Sequence, residues 1–237
     1  MAKLDLTKFK GVLFDLDGTL VETCNIWDNA FETMLLKYGA KKRGRVVPDI
    51  WLDFINKVKD TAVQGTLAEA FAQHLMDLHD IKGVSSTDFH IETEEEVVRR
   101  IADVPYKKGA PELLLWLKAN GFKIGLVTMS PAMAVRSYQN NPNINKLAPF
   151  KSIFDITITG DSVRRRKPDP EPYLIAMEKL GLEPHECLVF EDSIEGTLSA
   201  TRAGVTVCVV HDAGSDAVRD ELRKLTPYHI NCYSEVL

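Results

Sequence analysis

Short, continuous apolar segments recur along the chain, and each is followed by residues typical of turns. The strongest cover residues 11–15, 123–128, 155–159, 187–190 and 205–210, and a weaker sixth covers residues 229–233. Strands that are apolar throughout, without alternating polar positions, are typical of a sheet covered on both faces. This feature favours a parallel sheet buried between layers of helices.

Helical patterns lie between these segments. Residues 111–118 begin with proline, residues 170–180 end at Gly181, and residues 194–203 end at Gly204. Proline at the first helical position and glycine after the last one mark helix boundaries. The alternation of strands and helices predicts βαβ units, so we expect an α/β fold with a Rossmann-like, doubly wound parallel sheet.

One long stretch interrupts this alternation between the first and second strands. Its apolar residues repeat with helical spacing, first at Phe31, Met34, Leu35 and Tyr38, then at Leu67, Phe71, Leu75 and Leu78. The sequence therefore predicts two domains, an α/β core of residues 1–20 and 106–237 and a helical insert of residues 21–105. We expect loops within the insert at residues 41–45 and 83–88.

The composition restricts the partners. The 237 residues include 29 Lys and Arg against 34 Asp and Glu, a formal charge of −5, which gives no attraction to nucleic acid or membrane surfaces. No apolar run approaches the roughly 18 residues of a membrane span, and the first residues do not resemble a signal peptide. The four cysteines lack metal-binding spacing. We expect a cytoplasmic monomer that binds a small molecule.

Polar side chains cluster where the predicted strands end. In an open α/β sheet, ligands bind beyond the carboxyl ends of the strands. Clustered carboxylates repel one another and favour a bound cation, and an all-oxygen set suits Mg²⁺. The residues at these ends are Asp15 and Asp17 after the first strand, Thr128 and Ser130 after the second, Lys167 past the third, and Glu191 and Asp192 after the fourth.

These residue types together can hold and attack a ligand such as a phosphoryl group. One carboxylate that faces the open position can attack an electrophile. A hydroxyl and a lysine across the site can hold phosphoryl oxygens. Asp17, two residues beyond Asp15, can act as general acid and base.

The same residues resemble the four motifs of the haloacid dehalogenase (HAD) superfamily in their order and strand-end placement. The motifs are residues 15–19 (Asp-Leu-Asp-Gly-Thr), Thr128, Lys167 with the following Pro-Asp-Pro, and Glu191-Asp192 with Ser193. The resemblance is closest to the C1-capped, β-phosphoglucomutase-like and small-metabolite phosphatase branch. It implies that the helical insert of residues 21–105 is a cap domain.

The resemblance also implies a role for each motif residue. Asp15 would be the nucleophile that forms an aspartyl-phosphate, and Asp17 would protonate the leaving oxygen and then activate water. Thr128 and Lys167 would bind the phosphoryl oxygens, and Lys167 would also offset the charge of Asp15.

The metal would be Mg²⁺, held by Asp15, the main-chain carbonyl of Asp17, and Asp192 together with Glu191. Asp17 favours phosphoryl transfer, because the dehalogenating relatives lack this second aspartate and need no metal. The phosphonate-cleaving relatives use a cap lysine, and no cap lysine here is marked out for that role. The candidates are Lys37, Lys41, Lys42, Lys57, Lys59 and Lys82.

Two enzyme activities and one non-enzymatic role remain open. Mutases of this branch carry a threonine followed four residues later by histidine, and here Thr23 is followed by Trp27. This difference favours a Mg²⁺-dependent phosphatase acting on a sugar or polyol phosphate over a phosphomutase. For Trp27 itself, packing within a cap helix is the simpler interpretation. A non-catalytic binding protein on the same scaffold is the third alternative.

Overall fold

The core of the protein is one parallel β-sheet. A computed structural model describes residues 4–23, 26–41, 50, 54, 57–58 and 67–237. This part of the chain contains six strands: β1 Gly11–Phe14, β2 Lys123–Val127, β3 Ile156–Ile158, β4 Cys187–Glu191, β5 Thr206–Val210 and β6 Tyr228–Ile230. They pair in the order β3-β2-β1-β4-β5-β6, and every pairing is parallel. The α/β, Rossmann-like prediction is therefore confirmed.

The central strands end level with one another. Phe14 of β1 pairs with Leu126 of β2 on one side and with Phe190 of β4 on the other. Because the three strands run in the same direction, the residues after these positions emerge at the same sheet edge. Asp15 and Glu191 are two of them, so the register itself brings distant carboxylates together.

The last predicted strand is displaced from its expected place. We expected residues 229–233, whereas β6 covers Tyr228–Ile230 and Tyr233 begins a short 3₁₀ helix. The Glu235 carboxylate accepts hydrogen bonds from the main-chain N–H groups of Asn231 and Cys232, at 2.9 and 3.3 Å. These bonds turn the chain out of the sheet, and the apolar signal of Tyr233 reflects its complete burial instead.

Helices pack on the sheet and also form the insert. The described helices are α1 Ile26–Lys37, α2 Leu67–Leu78, α3 Ser86–Ile101, α4 Ala110–Ala119, α5 Ala132–Asn140, α6 Pro142–Leu147, α7 Phe150–Ile153, α8 Glu171–Leu180, α9 Ile194–Arg202 and α10 Arg219–Leu225. The predicted helices at residues 111–118, 170–180 and 194–203 correspond to α4, α8 and α9. At the end of α8, Gly181 adopts φ +62°, a conformation that favours glycine.

The chain divides into two compact units. One consists of Met1–Cys24 and Ile101–Leu237, and the other of Asn25–Arg100. The second unit has its own apolar core, in which Phe31 of α1 packs edge-on against Phe71 of α2 with ring centroids 5.4 Å apart. Trp27 is partly buried against the same core, 6.4 Å from the Phe31 ring. That the insert acts as a cap stays a prediction.

One predicted loop of the insert is shorter than expected. We expected a loop over residues 83–88, but α3 begins at Ser86. Ser85 explains the early start, because its hydroxyl oxygen accepts a hydrogen bond from the main-chain N–H of Asp88 at 3.0 Å, as an N-terminal cap does. In the other predicted loop, residues 42–45 lie outside the described residues. None of the described helices combines the length and the apolarity needed to cross a bilayer.

A buried ion pair ties the chain returning from the insert to the sheet edge. The Lys107 ammonium donates to the Asp212 carboxylate at 2.8 Å and to the main-chain carbonyl of His211 at 3.1 Å. The two side chains are 7% and 4% exposed. Glu22 completes the group from the other connecting segment, 3.2 Å from the ammonium.

Removal of one partner should be costly. We expect Asp212→Ala to lower the free energy of unfolding by about 3 kcal/mol, because a buried ammonium loses its main counter-charge. The measurement is denaturant-induced unfolding. The matched control is Asp216→Ala, which removes a carboxylate that contacts His211 at 2.8 Å but is 58% exposed, and which should change stability by less than about 0.5 kcal/mol. Equal losses in both variants would contradict the assignment.

Candidate active site

A lysine ammonium lies at the centre of the site. Lys167 Nζ donates to Asp15 Oδ1 at 2.6 Å, to Glu191 Oε1 at 2.5 Å and to the main-chain carbonyl of Val127 at 2.9 Å. An ammonium has three N–H donors, so all three are used. Lys167 thereby joins the carboxyl ends of β1, β2 and β4.

Glu191 is the anchor of this arrangement. It is fully buried, and its Oε1 accepts from the Tyr173 hydroxyl at 2.7 Å as well as from Lys167. Its Oε2 accepts from the main-chain N–H of Asp192 at 3.1 Å and from the Ser193 hydroxyl at 3.0 Å. Both oxygens are therefore occupied by protein donors, and Glu191 has less capacity than its neighbours to bind a metal directly.

The first turn of α9 leaves room for that carboxylate only because residue 196 is glycine. A Cβ at Gly196 would overlap the Glu191 carboxylate. Ser193 caps the same helix, its side chain accepting from the Gly196 N–H at 3.0 Å. The helix start and the buried carboxylate are therefore packed as one unit.

Asp192 faces Asp15 from the neighbouring strand end. The Thr19 hydroxyl donates to Asp192 Oδ1 at 2.8 Å. The turn before Thr19 approaches Asp192 closely at Gly18, which has φ +79° and where a Cβ would collide with the carboxylate. Carboxylate oxygens of Asp15, Glu191 and Asp192 lie within 4.8 Å of one another.

Burial and mutual repulsion disfavour the ionised forms of the carboxyl groups in this cluster. Burial raises the pKa of Asp15 to about 7, against the opposing effect of the Lys167 ammonium. Burial, followed by the charges of Glu191 and Asp15, raises the pKa of Asp192 well above its ordinary value. Burial alone would lower the pKa of Lys167, but the two carboxylates it contacts raise it overall. Three carboxylates with one ammonium leave excess negative charge, and their oxygens fit a hard cation such as Mg²⁺.

Asp17 lies beside the cluster and has separate partners. Its Oδ2 accepts from the Ser130 hydroxyl at 2.5 Å and its Oδ1 from the Tyr138 hydroxyl at 3.2 Å. Burial raises the pKa of Asp17, and these two hydrogen bonds act in the opposite direction. A raised pKa favours the protonated form that a general acid needs.

Thr128 continues the line of β2 at the same edge. Its N–H donates to the carbonyl of Ile158 at 2.9 Å, and its hydroxyl oxygen accepts from the Ser130 N–H at 3.0 Å. Among the described residues, no hydrogen bond joins Thr128 to a carboxylate of the cluster. The hydroxyl hydrogen can still be donated to a ligand.

The structure thus brings Asp15, Lys167, Glu191 and Asp192 into one cluster and places Asp17 and Thr128 next to it. Sequence reasoning missed the contributions of two tyrosines, Tyr138 of α5 and Tyr173 of α8. Both are completely buried within apolar helical patterns, where a tyrosine gives no sign of what its hydroxyl contacts. Ser130 carried a signal, because it follows Thr128 by two residues at a strand end.

Comparison with known proteins identifies relatives over most of the chain. The family model described as haloacid dehalogenase-like hydrolase matches residues 12–210. The chain is 31% identical to validoxylamine A 7′-phosphate phosphatase of Streptomyces hygroscopicus subsp. limoneus over 91% of this chain and 93% of that protein. It is also 31% identical to hexitol phosphatase A of Escherichia coli K12, over 85% and 83% of the two chains.

A solved structure shows the same fold. The crystal structure of CbbY from Rhodobacter sphaeroides in complex with phosphate superposes with a TM-score of 0.72 at 20% sequence identity, covering 96% of both chains. The similarity therefore extends over both compact units of the chain.

The packing of α9 against Glu191 yields a stability test. A glycine-to-alanine change inside a helix usually raises stability by about 0.5–1 kcal/mol. We expect Gly196→Ala to lower the free energy of unfolding by about 3 kcal/mol instead, because the added methyl displaces a buried, hydrogen-bonded carboxylate. Denaturant-induced unfolding measures the change in the free energy of unfolding and shows whether it is a gain or a loss.

A matched control lies on the same helix. Thr201→Ala, at an exposed position of α9, should leave stability unchanged or slightly higher by helix propensity. Shortening the displaced side chain in the double variant Gly196→Ala/Glu191→Asp should give less than the sum of the two single losses. A Gly196→Ala protein as stable as the parent would show that Glu191 is not confined as described.

Proposed function

The chain belongs to the haloacid dehalogenase-like hydrolase family and is a phosphatase of that family, and from this we propose that it hydrolyses the phosphate monoester of a small sugar or polyol through an aspartyl-phosphate on Asp15. The observation that carries this proposal is the Asp15 carboxylate, held at the end of β1 by Lys167 and adjacent to Asp192. One carboxylate is fixed and charge-compensated there, while the excess negative charge calls for a cation.

In the first step Asp15 acts as the nucleophile. A carboxylate oxygen of Asp15 forms a bond to phosphorus while the ester P–O bond breaks. The departing alkoxide oxygen takes the proton held by the Asp17 carboxyl group, and the product leaves as the free alcohol. The Thr128 hydroxyl supplies a donor to the phosphoryl oxygens as their charge is redistributed. Lys167, whose three donors are taken by protein acceptors, acts on the same oxygens through its positive charge.

In the second step the enzyme is regenerated. The Asp17 carboxylate takes a proton from a water molecule, and the water oxygen forms a bond to phosphorus. The bond between phosphorus and the Asp15 oxygen breaks, which releases inorganic phosphate and restores both aspartates. One residue therefore serves first as acid and then as base.

The cluster fits Mg²⁺ because its donors are all oxygens and its charge is uncompensated. We assign the metal to Asp15, Asp192 and the main-chain carbonyl of Asp17. Glu191 adds its charge to the cluster and fixes Lys167, since its own oxygens are occupied. When bound, Mg²⁺ supplies positive charge to the phosphoryl oxygens.

The phosphomutase alternative is less well supported. At the position where mutases of the resembled branch carry histidine, this chain has Trp27, whose indole packs on the apolar core of the insert. An indole there offers no imidazole for proton transfer. The hexitol phosphatase relative favours a polyol phosphate as substrate, and we propose that the insert, as a cap, selects it.

The nucleophile assignment has a direct test. Asp15→Asn should reduce phosphate release from sugar and polyol phosphates by at least about a thousandfold, because an amide cannot form the acyl-phosphate. The control is Asp220→Asn, an 88% exposed carboxylate paired with Arg223, which should retain full activity. Normal turnover by Asp15→Asn would refute the mechanism. Isomerised sugar phosphate without phosphate release, from β-glucose 1-phosphate with a bisphosphate primer, would favour the mutase.

The metal assignment predicts a pH-dependent stabilisation. A carboxyl group whose pKa is higher in the folded than in the unfolded protein stabilises the fold below its unfolded pKa and loses that contribution as pH rises through its folded pKa. For Asp15 the pKa in the folded protein is about 7. The metal-free protein should therefore lose stability from about pH 4 to 7. Mg²⁺ binds the deprotonated cluster, so it should raise Tm more at pH 8 than at pH 5.

Thermal unfolding with Mg²⁺ and with EDTA at both pH values measures this effect. The Asp192→Asn variant should lose most of the Mg²⁺ response while remaining folded. The same Tm increase at both pH values, or an undiminished response in Asp192→Asn, would contradict the proposed site.

A further inference from the structure

Both carboxyl oxygens of Asp17 are held by hydroxyl groups from two different elements. Ser130, just after β2, contacts Oδ2 at 2.5 Å, and Tyr138 of α5 contacts Oδ1 at 3.2 Å. The Tyr138 side chain is completely buried. A buried phenol hydroxyl normally needs a hydrogen-bond partner, and the partner found here is the proposed general acid.

We infer that Tyr138 is a positioning residue that orients the Asp17 carboxyl group for proton transfer to and from the reacting oxygen. The inference rests on the proposed function, in which Asp17 is the acid and base. The torsion that rotates a carboxyl group has broad minima, so Asp17 by itself has no fixed orientation. Two donors approaching its two oxygens from separate elements fix the carboxyl plane. A carboxylate offers about four lone-pair positions, so positions remain to face a substrate.

The surroundings of Tyr138 make it rigid enough for this task. Its ring stacks on Phe150 of α7, with centroids 6.0 Å apart and planes 20° apart. Directly after α5, the Asn141 side-chain amide donates to the main-chain carbonyl of Ile101 at 2.9 Å. The same side chain accepts from the Ile144 N–H at 3.2 Å, which caps α6. Groups that act by position must be held by packing and by further hydrogen bonds. Here the Phe150 ring packs on the Tyr138 side chain, and the Asn141 bonds fix the end of the helix that carries it.

If Tyr138 acts by positioning Asp17, the decrease in kcat/KM on its removal should depend on the leaving group. Alkoxide leaving groups need a proton from the acid, whereas p-nitrophenolate leaves without one. The ratio kcat/KM reports the steps up to the first P–O cleavage. We expect Tyr138→Phe to lower kcat/KM for the best alkyl phosphate of the panel by about 10- to 100-fold, the scale of misplacing a catalytic group. For p-nitrophenyl phosphate the change should stay within about twofold.

Tyr106→Phe is the matched control. Tyr106 is also buried and donates to the main-chain carbonyl of Ala148 at 3.2 Å, so its loss removes a buried hydroxyl with no contact to the acid. It should leave kcat/KM unchanged for both substrates. Ser130→Ala removes the other hydroxyl donor to Asp17. Like Tyr138→Phe, it should lower kcat/KM for alkyl phosphates and leave kcat/KM for p-nitrophenyl phosphate nearly unchanged. Measured Tm values establish that each variant is folded.

Asp17→Asn distinguishes a failure of the proposed acid role of Asp17 from a failure of the positioning role of Tyr138. If Asp17→Asn lowers kcat/KM equally for both substrates, the proposed acid role fails, and the inference about Tyr138 fails with it. If Asp17→Asn is selective but Tyr138→Phe is not, the proposed function stands and the positioning role is overturned. An equal loss for both substrates in Tyr138→Phe would likewise show a purely structural role. Selective losses in both variants support the inference.

Discussion

The ion pairing of Lys167 is the interaction on which the site depends. Its ammonium takes three acceptors from the ends of three neighbouring strands: the carboxylates of Asp15 and Glu191 and the carbonyl of Val127. A buried ammonium is unfavourable without counter-charges, and buried carboxylates are equally unfavourable without a cation. The ammonium and the carboxylates therefore offset each other's cost of burial, and the reactive carboxylate of Asp15 is held in place as a consequence.

The cluster still holds more negative than positive charge. Burial, and after it the charges of the neighbouring carboxylates, raises the pKa values of Asp15 and Asp192, and protonation is one way to relieve the excess charge. A divalent cation is the other way, and it leaves the nucleophile ionised. The same excess charge that costs stability in the metal-free protein would thus provide affinity for the metal. Glu191 can serve this purpose without touching the metal, since charge acts over the short distances within the cluster.

The sequence was informative where the chemistry depends on backbone position. A parallel sheet sends the carboxyl ends of its strands to one edge, so strand prediction alone placed Asp15, Glu191 and Asp192 together. It was uninformative where the chemistry depends on a side chain reaching across helices. Tyr138 and Tyr173 look like ordinary core residues, and their hydroxyl contacts are set by the packing of the helices that carry them, α5 and α8. Gly196 likewise looks like a weak helix residue until the Glu191 carboxylate is located.

The two halves of the reaction place different demands on these groups. The nucleophile needs a fixed position and a compensated charge, and residues of the strand ends supply both. The acid must give up a proton and later take one back, so its carboxyl group cannot be tied to a permanent cation. Asp17 meets that condition because its partners, Ser130 and Tyr138, are neutral hydroxyls, which orient the carboxyl group without fixing its charge. Two aspartates separated by one residue thereby acquire different properties, Asp15 through an ammonium and Asp17 through a phenol and an alcohol.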